Sequence, residues 1–396
     1  MNLATRIQLS VMMFVQYFIW GAFFPPMGIY MEEILGPDAK EAIGDTFANV
    51  WIGAIISPFF VGMVADRYFS AQKVLGALNL VNAGILYWIS QCNDVAQFKT
   101  GILLWSILYM PTMALSNSVA FHQISDKSKD FPTLRVLGTI GWIVAGFVVS
   151  GFIKDRMLFL IPAVISFGMG IFSFFLPDTP PSQTGKVSLR QILGLDALVL
   201  FKDRSYLTFF IGSVLICIPL SFYYSYTGTF LDKMGVEGIT MKMGFLGQGS
   251  EVIFMLLMPL FFIRLGVKKM LLVGMAAWVL RYLCFRFGIE GGHWLIYVGL
   301  ALHGICYDFF FVTGQIYTDQ KAGHSIKSAA QGLITFATYG VGLYSGSRLS
   351  GVVANHYAND TAAGFDWASL WLVPSAIAGV VLLVFAFMFK DKKTNA

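Results

Sequence analysis

Long apolar runs separated by short polar turns dominate the chain. A helix that crosses a bilayer needs about 20 mostly apolar residues. Twelve runs meet that length, at 8–30, 46–65, 74–92, 100–122, 132–153, 157–176, 206–230, 242–262, 270–287, 294–317, 328–350 and 368–389. The longest polar connection follows the sixth run. It opens with Pro177-Asp-Thr-Pro-Pro-Ser and continues as an amphipathic piece from Val187 to Phe201. It divides the chain into an N-terminal six-helix bundle (1–176), a linker (177–205), and a C-terminal six-helix bundle with a short tail (206–396). The pattern predicts an all-α, multi-pass membrane protein. Pro25 and Pro26 lie at the far end of the first run, and no small-residue cleavage site follows it, so this run reads as a retained span.

Composition sharpens this picture. Of 396 residues, 57% are hydrophobic and 12% charged, against about 25% charged in a soluble domain. The net charge of +5 follows from the loops and does not point to nucleic acid. With both termini on the cytoplasmic side, 17 of the 27 Lys and Arg residues fall in cytoplasmic segments. That bias predicts the orientation. The four cysteines, Cys92, Cys217, Cys284 and Cys306, sit in or beside apolar runs and read as packing residues. The halves also echo each other. Gly62-Met-Val-Ala-Asp66-Arg67 follows the second span, and Arg264-Leu-Gly-Val-Lys268-Lys269 follows the eighth. Two six-helix halves around a central cavity is the major facilitator arrangement, and the first of these loops resembles part of that superfamily's loop motif.

The ionisable residues inside the spans carry the candidate chemistry. Arg135 lies within the fifth run, and Thr139 and Trp142 follow at i+4 and i+7 on the same helical face. An arginine at the bilayer centre costs about 2.5–3.5 kcal/mol on insertion scales. Glu251 is about nine residues into the eighth span, roughly 13 Å deep at about 1.5 Å per residue. Asp308 lies deep in the tenth. One cation and two acids on different spans leave one acid to titrate, which is what proton coupling requires. The alternative is a fixed structural ion pair. Further polar and aromatic groups accompany them: Gln16, Tyr17 and Trp20 in the first span, Ser221 and Tyr224 in the seventh, Gln248 three residues before Glu251, and His303 and Tyr307 beside Asp308. Aromatic rings together with amides and hydroxyls suit a ligand with a flat ring and several hydroxyls. Each aromatic could equally serve helix packing. Arg281 and Arg348 lie near span ends and read as snorkelling or loop-pairing residues.

No Walker-type phosphate loop, H-E-x-x-H, G-x-S-x-G or Cys/His cluster occurs. No catalytic residue, metal ligand or cofactor is expected, and the chain does not read as an enzyme. A proton-coupled transporter working by alternating access is the leading expectation. A symporter for another hydroxylated solute, such as a sugar or glycoside, is the first alternative, and a ligand sensor that moves nothing is the second.

Several motifs coincide with one family. These are Phe131-Pro-x-x-Arg135-x-x-Gly-Thr139-Ile-Gly, Gly194-Leu-Asp-Ala-x-x-Leu-Phe-Lys202, Gln248-x-Ser-Glu251, Ala277-Trp-x-Leu-Arg281, Gly304-x-x-x-Asp308-Phe-Phe and Ser328-Ala-x-Gln331-Gly. Together they resemble the nucleoside:proton symporters of the major facilitator superfamily over nearly the whole chain. The resemblance implies uptake of nucleosides driven by protons across the bacterial inner membrane, by a monomer embedded in lipid. It implies that Arg135, Thr139, Gln248, Glu251 and Asp308 bind nucleoside or support coupling, with Glu251 and Asp308 the candidates for the proton. The family's Phe after Thr-Ile-Gly is Trp142 here. Its seventh-span Gln and Asn are Ser221 and Tyr224, and its tenth-span Tyr and Phe are His303 and Tyr307. These positions complete the expected substrate-binding set.

Overall fold

The computed structural model describes residues 2–60, 68–124, 127–181 and 195–390. The expected loop motif Gly62–Arg67, the linker segment 182–194 and the tail 391–396 lie outside the described residues. Elsewhere the chain is helical wherever an apolar run was expected. The first unit holds α1 (Leu3–Phe23), α2 (Met27–Leu35), α3 (Ile43–Phe60), α4 (Ala71–Gln91), α5 (Val95–Gln123), α6 (Lys127–Val149), α7 (Met157–Ser173) and the short α9 (Ile239–Lys242). The second unit holds α8 (Arg204–Lys233), α10 (Gly249–Gly291), α11 (His293–Ala301), α12 (His303–Tyr307), α13 (Thr313–Thr335), α14 (Leu343–His356) and α15 (Trp367–Met388). By contact, the first unit comprises Met1–Ile192 and Gly238–Gly244, and the second Leu193–Glu237 and Phe245–Ala396.

Local chemistry sets the helix ends. The Asn2, Asp94 and Asp366 side chains accept from the amides of Thr5, Gln97 and Ser369, so α1, α5 and α15 begin on side-chain caps. Prolines 25 and 26 interrupt the first span, and α1 and α2 meet at a 46° bend. Helical residues run on from the eighth span into the ninth within α10. Gly266, at φ 68° and ψ 174°, breaks the helix there, a conformation that suits glycine alone. A polar turn was expected between the tenth and eleventh spans, yet 313–335 is helical throughout. The Gln331 amide nevertheless donates to the Gln315 carbonyl at 2.7 Å. In a straight helix those residues would stand about 24 Å apart, so the chain doubles back within α13 and the two spans stay distinct.

Packing runs opposite to that of a soluble protein. Large apolar residues face outward, such as Ile263 (85% exposed), Phe387 (81%) and Leu256 (76%), as a lipid-facing surface requires. Inside, small residues let helices approach closely. A Cβ on Gly141 of α6 would fall 2.1 Å from the Phe14 carbonyl oxygen of α1. In the second unit the core is aromatic, with Tyr282 stacked on Trp371 at 5.6 Å and Phe230 edge-on to Trp371 at 5.3 Å.

Three stretches of the second unit are π-helical: Met243–Gln248, which begins at its border with the first, Asp308–Val312 and Phe336–Gly342. Each inserts a wide turn into an otherwise α-helical span, a feature concentrated at functional sites.

Outside the spans, Asp203 caps α8 through the amides of Ser205 at 2.8 Å and Tyr206 at 3.4 Å, and pairs with Lys321 at 2.7 Å. Partial burial pushes its carboxyl up, but the Lys321 ammonium and the Ser205 amide outweigh that and hold it below the usual carboxylate range. A carboxyl held low in the folded state adds stability above its unfolded value and loses it as pH falls through the folded one. Asp203→Ala should therefore lower the melting temperature in detergent at pH 7, and the gap from wild type should narrow below about pH 4. A gap that stays constant down to pH 3 would assign the effect to packing.

Candidate functional site

The second unit assembles most of the expected residues. The assembly begins where α10 crosses α12. The Gly304 amide donates to the Ser250 hydroxyl at 2.9 Å, and that hydroxyl donates to the Gly247 carbonyl at 2.7 Å. A Cβ on Gly304 would lie 2.5 Å from the Ser250 backbone and 2.7 Å from the Glu251 nitrogen. Only glycine permits this approach. His303 precedes Gly304 and Glu251 follows Ser250, so the crossing brings the His303 Nε2 to 4.0 Å from the Glu251 Oε2. That gap is longer than a hydrogen bond, yet the two groups face each other, His303 fully buried and Glu251 still 18% exposed.

Asp308 opens the second π-helical stretch and is wholly buried. Among the described residues, neither carboxylate oxygen has a hydrogen-bond partner. Glu251 lies within electrostatic reach of it. A buried carboxyl without donors is one whose charge its surroundings do not offset, so gaining or losing a proton there changes the local energy strongly.

Aromatic rings surround these groups. His303 stacks on Tyr223 at 5.1 Å and 21°, and its ring centre lies 5.7 Å from that of Tyr307. Tyr224 neighbours Tyr223 at 5.7 Å. The Tyr307 and Tyr339 hydroxyls are hydrogen-bonded, and Tyr339 sits on the third π-helical stretch. Tyr339 and Phe311 also line a small recess with Phe209, Ser213 and Thr338. Gln248 ends the first π-helical stretch, half-buried. Ser221 is placed differently from the others. Its hydroxyl lies 2.9 Å from the Cys217 carbonyl and 3.1 Å from that of Leu343, which ties α8 to α14.

In the first unit, Arg135, Thr139 and Trp142 are half-buried along one face of α6. The Arg135 guanidinium stacks over the Tyr17 ring at 3.9 Å. Trp142 packs edge-on against Trp20 at 5.5 Å, in space left open by Gly21. Gln16 is fully buried, donating to the Thr112 hydroxyl at 2.6 Å, and its carbonyl accepts from the Tyr109 hydroxyl. The first-span polar cluster is thus shared between a hydrogen-bonded anchor, Gln16, and a cation-bearing face, Tyr17.

One reading from the sequence is corrected. Arg281 does not snorkel at a span end. It is fully buried, because the helix continues to Gly291 and places it well inside. Tyr223, next to the expected Tyr224, and Tyr339 also belong to the cluster. Trp278 at i−3 was the available sequence signal for Arg281; Tyr223 was hidden among Phe222, Tyr224 and Tyr226, since sequence order does not say which ring meets His303.

The all-helical bundle, its outward apolar surface and its buried acids define a multi-pass membrane transporter. A family model described as nucleoside H+ symporter matches residues 1–394. The chain belongs to that family, and it is a transporter rather than an enzyme. It is 40% identical to the putative nucleoside transporter YegT of Escherichia coli K12, over 98% of this chain and 94% of that protein. It is 31% identical to the nucleoside permease NupG of the same organism, over 99% and 97%. A crystal structure of NupG superposes with a TM-score of 0.88 at 31% identity, covering 99% of this chain and all of that one. The fold is thus the major facilitator fold, and the function is proton-coupled nucleoside transport.

Gly304→Ala should displace α12 from α10, since the clashing atoms are backbone and cannot swing away. Overpacking of this kind costs about 1–3 kcal/mol. The variant should melt at lower temperature and lose nucleoside uptake, measured in the same preparation. Normal uptake with an unchanged melting point would show that the crossing has slack.

Proposed function

We propose that Glu251 and Asp308 carry the coupled proton, that Gln248, His303, Tyr224 and Tyr307 of the second unit hold nucleoside with Ser221 supporting them, and that Arg135, Thr139 and Trp142 form a nucleoside-binding face on the first unit. The observation that carries this reading is the pair of unlike acids. Glu251 is partly exposed and faces His303, while Asp308 is sealed and lacks donors among the described residues. Two carboxyls in such different surroundings, within each other's field, can take up and release a proton at different stages of a cycle. His303 and Gln248 provide donors and acceptors suited to ribose hydroxyls or base edges, and Tyr224, Tyr307 and Trp142 offer faces for a heterocycle. Ser221 acts by fixing the seventh-span backbone beneath Tyr224. Arg135, stacked on Tyr17, presents a cation to the ligand or to an ionised group. The protein works as a monomer in the bacterial inner membrane with both termini cytoplasmic, as the distribution of Lys and Arg among its loops favours.

Glu251→Gln and Asp308→Asn should each abolish accumulation driven by an imposed proton gradient in proteoliposomes, by at least tenfold, while exchange of labelled for unlabelled nucleoside persists. Concentrative uptake at the wild-type level in both variants would remove these acids from coupling.

A second measurement addresses the ligand class. Purified protein should be thermally stabilised by purine or pyrimidine nucleosides and not by sugars, since binding to the folded state raises the melting point by mass action. Stabilisation by a sugar or glycoside alone would reassign the substrate.

A further inference from the structure

Arg281 is a charged residue in the buried interior of the second unit that the transport reading leaves without a task. Its Nε donates to the Gly299 carbonyl at 2.9 Å and its Nη2 to that of Leu300 at 3.5 Å. Its Nη1 is buried with no hydrogen-bond partner, and no carboxylate pairs with it among the described residues. A guanidinium taken out of water without a counter-ion is expensive, and an apolar residue of similar size would pack more cheaply. Anchoring α10 to α11 does not explain the choice, because a neutral donor would serve the Gly299 carbonyl as well.

The geometry supplies a reason. The guanidinium carbon lies 3.8 Å above the centre of the Tyr223 ring, with Trp278 further off at 5.2 Å. Tyr223 in turn stacks on His303, and its hydroxyl would stand 3.4 Å from a Cβ on Gly247, so the ring is held closely from that side as well. A cation over an aromatic face restrains both groups, the more so where water is absent. Arginine alone combines that planar stacking with directed donors to two successive carbonyls.

We infer that Arg281 is a positioning residue for nucleoside binding: through the face of Tyr223 it fixes the His303 imidazole in the orientation that meets the ligand. The column Arg281, Tyr223, His303 then ends at Glu251, 4.0 Å away. This rests on the binding role given to His303 above. Arg281 itself does not touch nucleoside.

The test is a binding titration of purified wild type and variants with uridine, adenosine and inosine, each variant checked for a monodisperse elution profile. R281Q and Y223L should each raise Kd at least tenfold. The R281Q/Y223L double variant should be no weaker than the worse single one, because both break the same stack. R281K, which keeps the charge without the planar fork, should fall between wild type and R281Q. A purely structural arginine would lower the melting point and leave the Kd of the folded fraction unchanged. R281Q or Y223L binding within twofold of wild type therefore overturns the inference, as does full additivity in the double variant. Should R281Q not fold, Y223L and R281K decide by the same criteria. A wild type that binds none of the three nucleosides sinks the functional reading itself, and this inference with it; a binding wild type beside an unaffected R281Q sinks this inference alone.

Discussion

Inside a bilayer, a polar group has no water to fall back on and must find its partner within the protein. That constraint explains most of what this chain does with its side chains. The Ser213, Cys217 and Ser221 side chains turn back onto carbonyls four residues earlier in α8. Gln16 is held by Thr112, and Thr240 by the Gly146 carbonyl at 2.7 Å. Other buried polar groups have no such partner among the described residues, in the first unit (Trp20 Nε1, the Asn82 amide) as well as in the second. The Asp308 oxygens, the His303 Nδ1 and the Arg281 Nη1 are buried without hydrogen-bond partners among the described residues. All three residues belong to the second unit. Where such a group is ionisable, as at Asp308, its charge is costly to hold.

The same unit is also where helix geometry departs from the regular α form. Regular helices in close contact, as at Gly141 against Phe14, create stiff pairs. The π-helical turns at Met243–Gln248, Asp308–Val312 and Phe336–Gly342 carry or adjoin Gln248, Glu251, Asp308, Tyr307 and Tyr339. Rigid crossings and widened turns are thus combined: Gly304 against Ser250 holds His303 to Glu251, while the irregular turn immediately after Tyr307 leaves Asp308 buried in its own environment.

Much of this was legible in the amino-acid order. The apolar runs reflect transfer energies summed over some twenty residues, and such sums are robust; the Pro25-Pro26 interruption follows from proline's missing amide hydrogen. Arg135, Glu251 and Asp308 were visible because a charge in an apolar run is costly whatever surrounds it. What was not legible depended on where helices end and how they rotate. Arg281 was read as a terminal residue because the apolar run was drawn to 287, but the helix continues through Glu290 to Gly291. The turn between the tenth and eleventh spans is built from helical backbone, so composition marked a loop where the hydrogen-bond pattern continues. Tyr223 and Tyr224 are adjacent and point along different directions, and periodicity alone does not say which of two neighbouring tyrosines meets His303. The three π-helical stretches have no sequence signature at all: Met-Gly-Phe-Leu-Gly-Gln, Asp-Phe-Phe-Phe-Val and Phe-Ala-Thr-Tyr-Gly-Val-Gly share no pattern.

Those wide turns have a consequence for how such a protein changes over time. One extra residue rotates everything beyond it by about 100° around the helix axis. A span containing such a turn therefore has two faces set independently, one on each side of the insertion. The stretch of the tenth span before Asp308 can keep its aromatic and imidazole groups aligned while the stretch after it redirects Phe310 and Phe311 to other neighbours. Ligand preference in this lineage can drift by exchanging residues on one side of the wide turn without disturbing the packing register on the other.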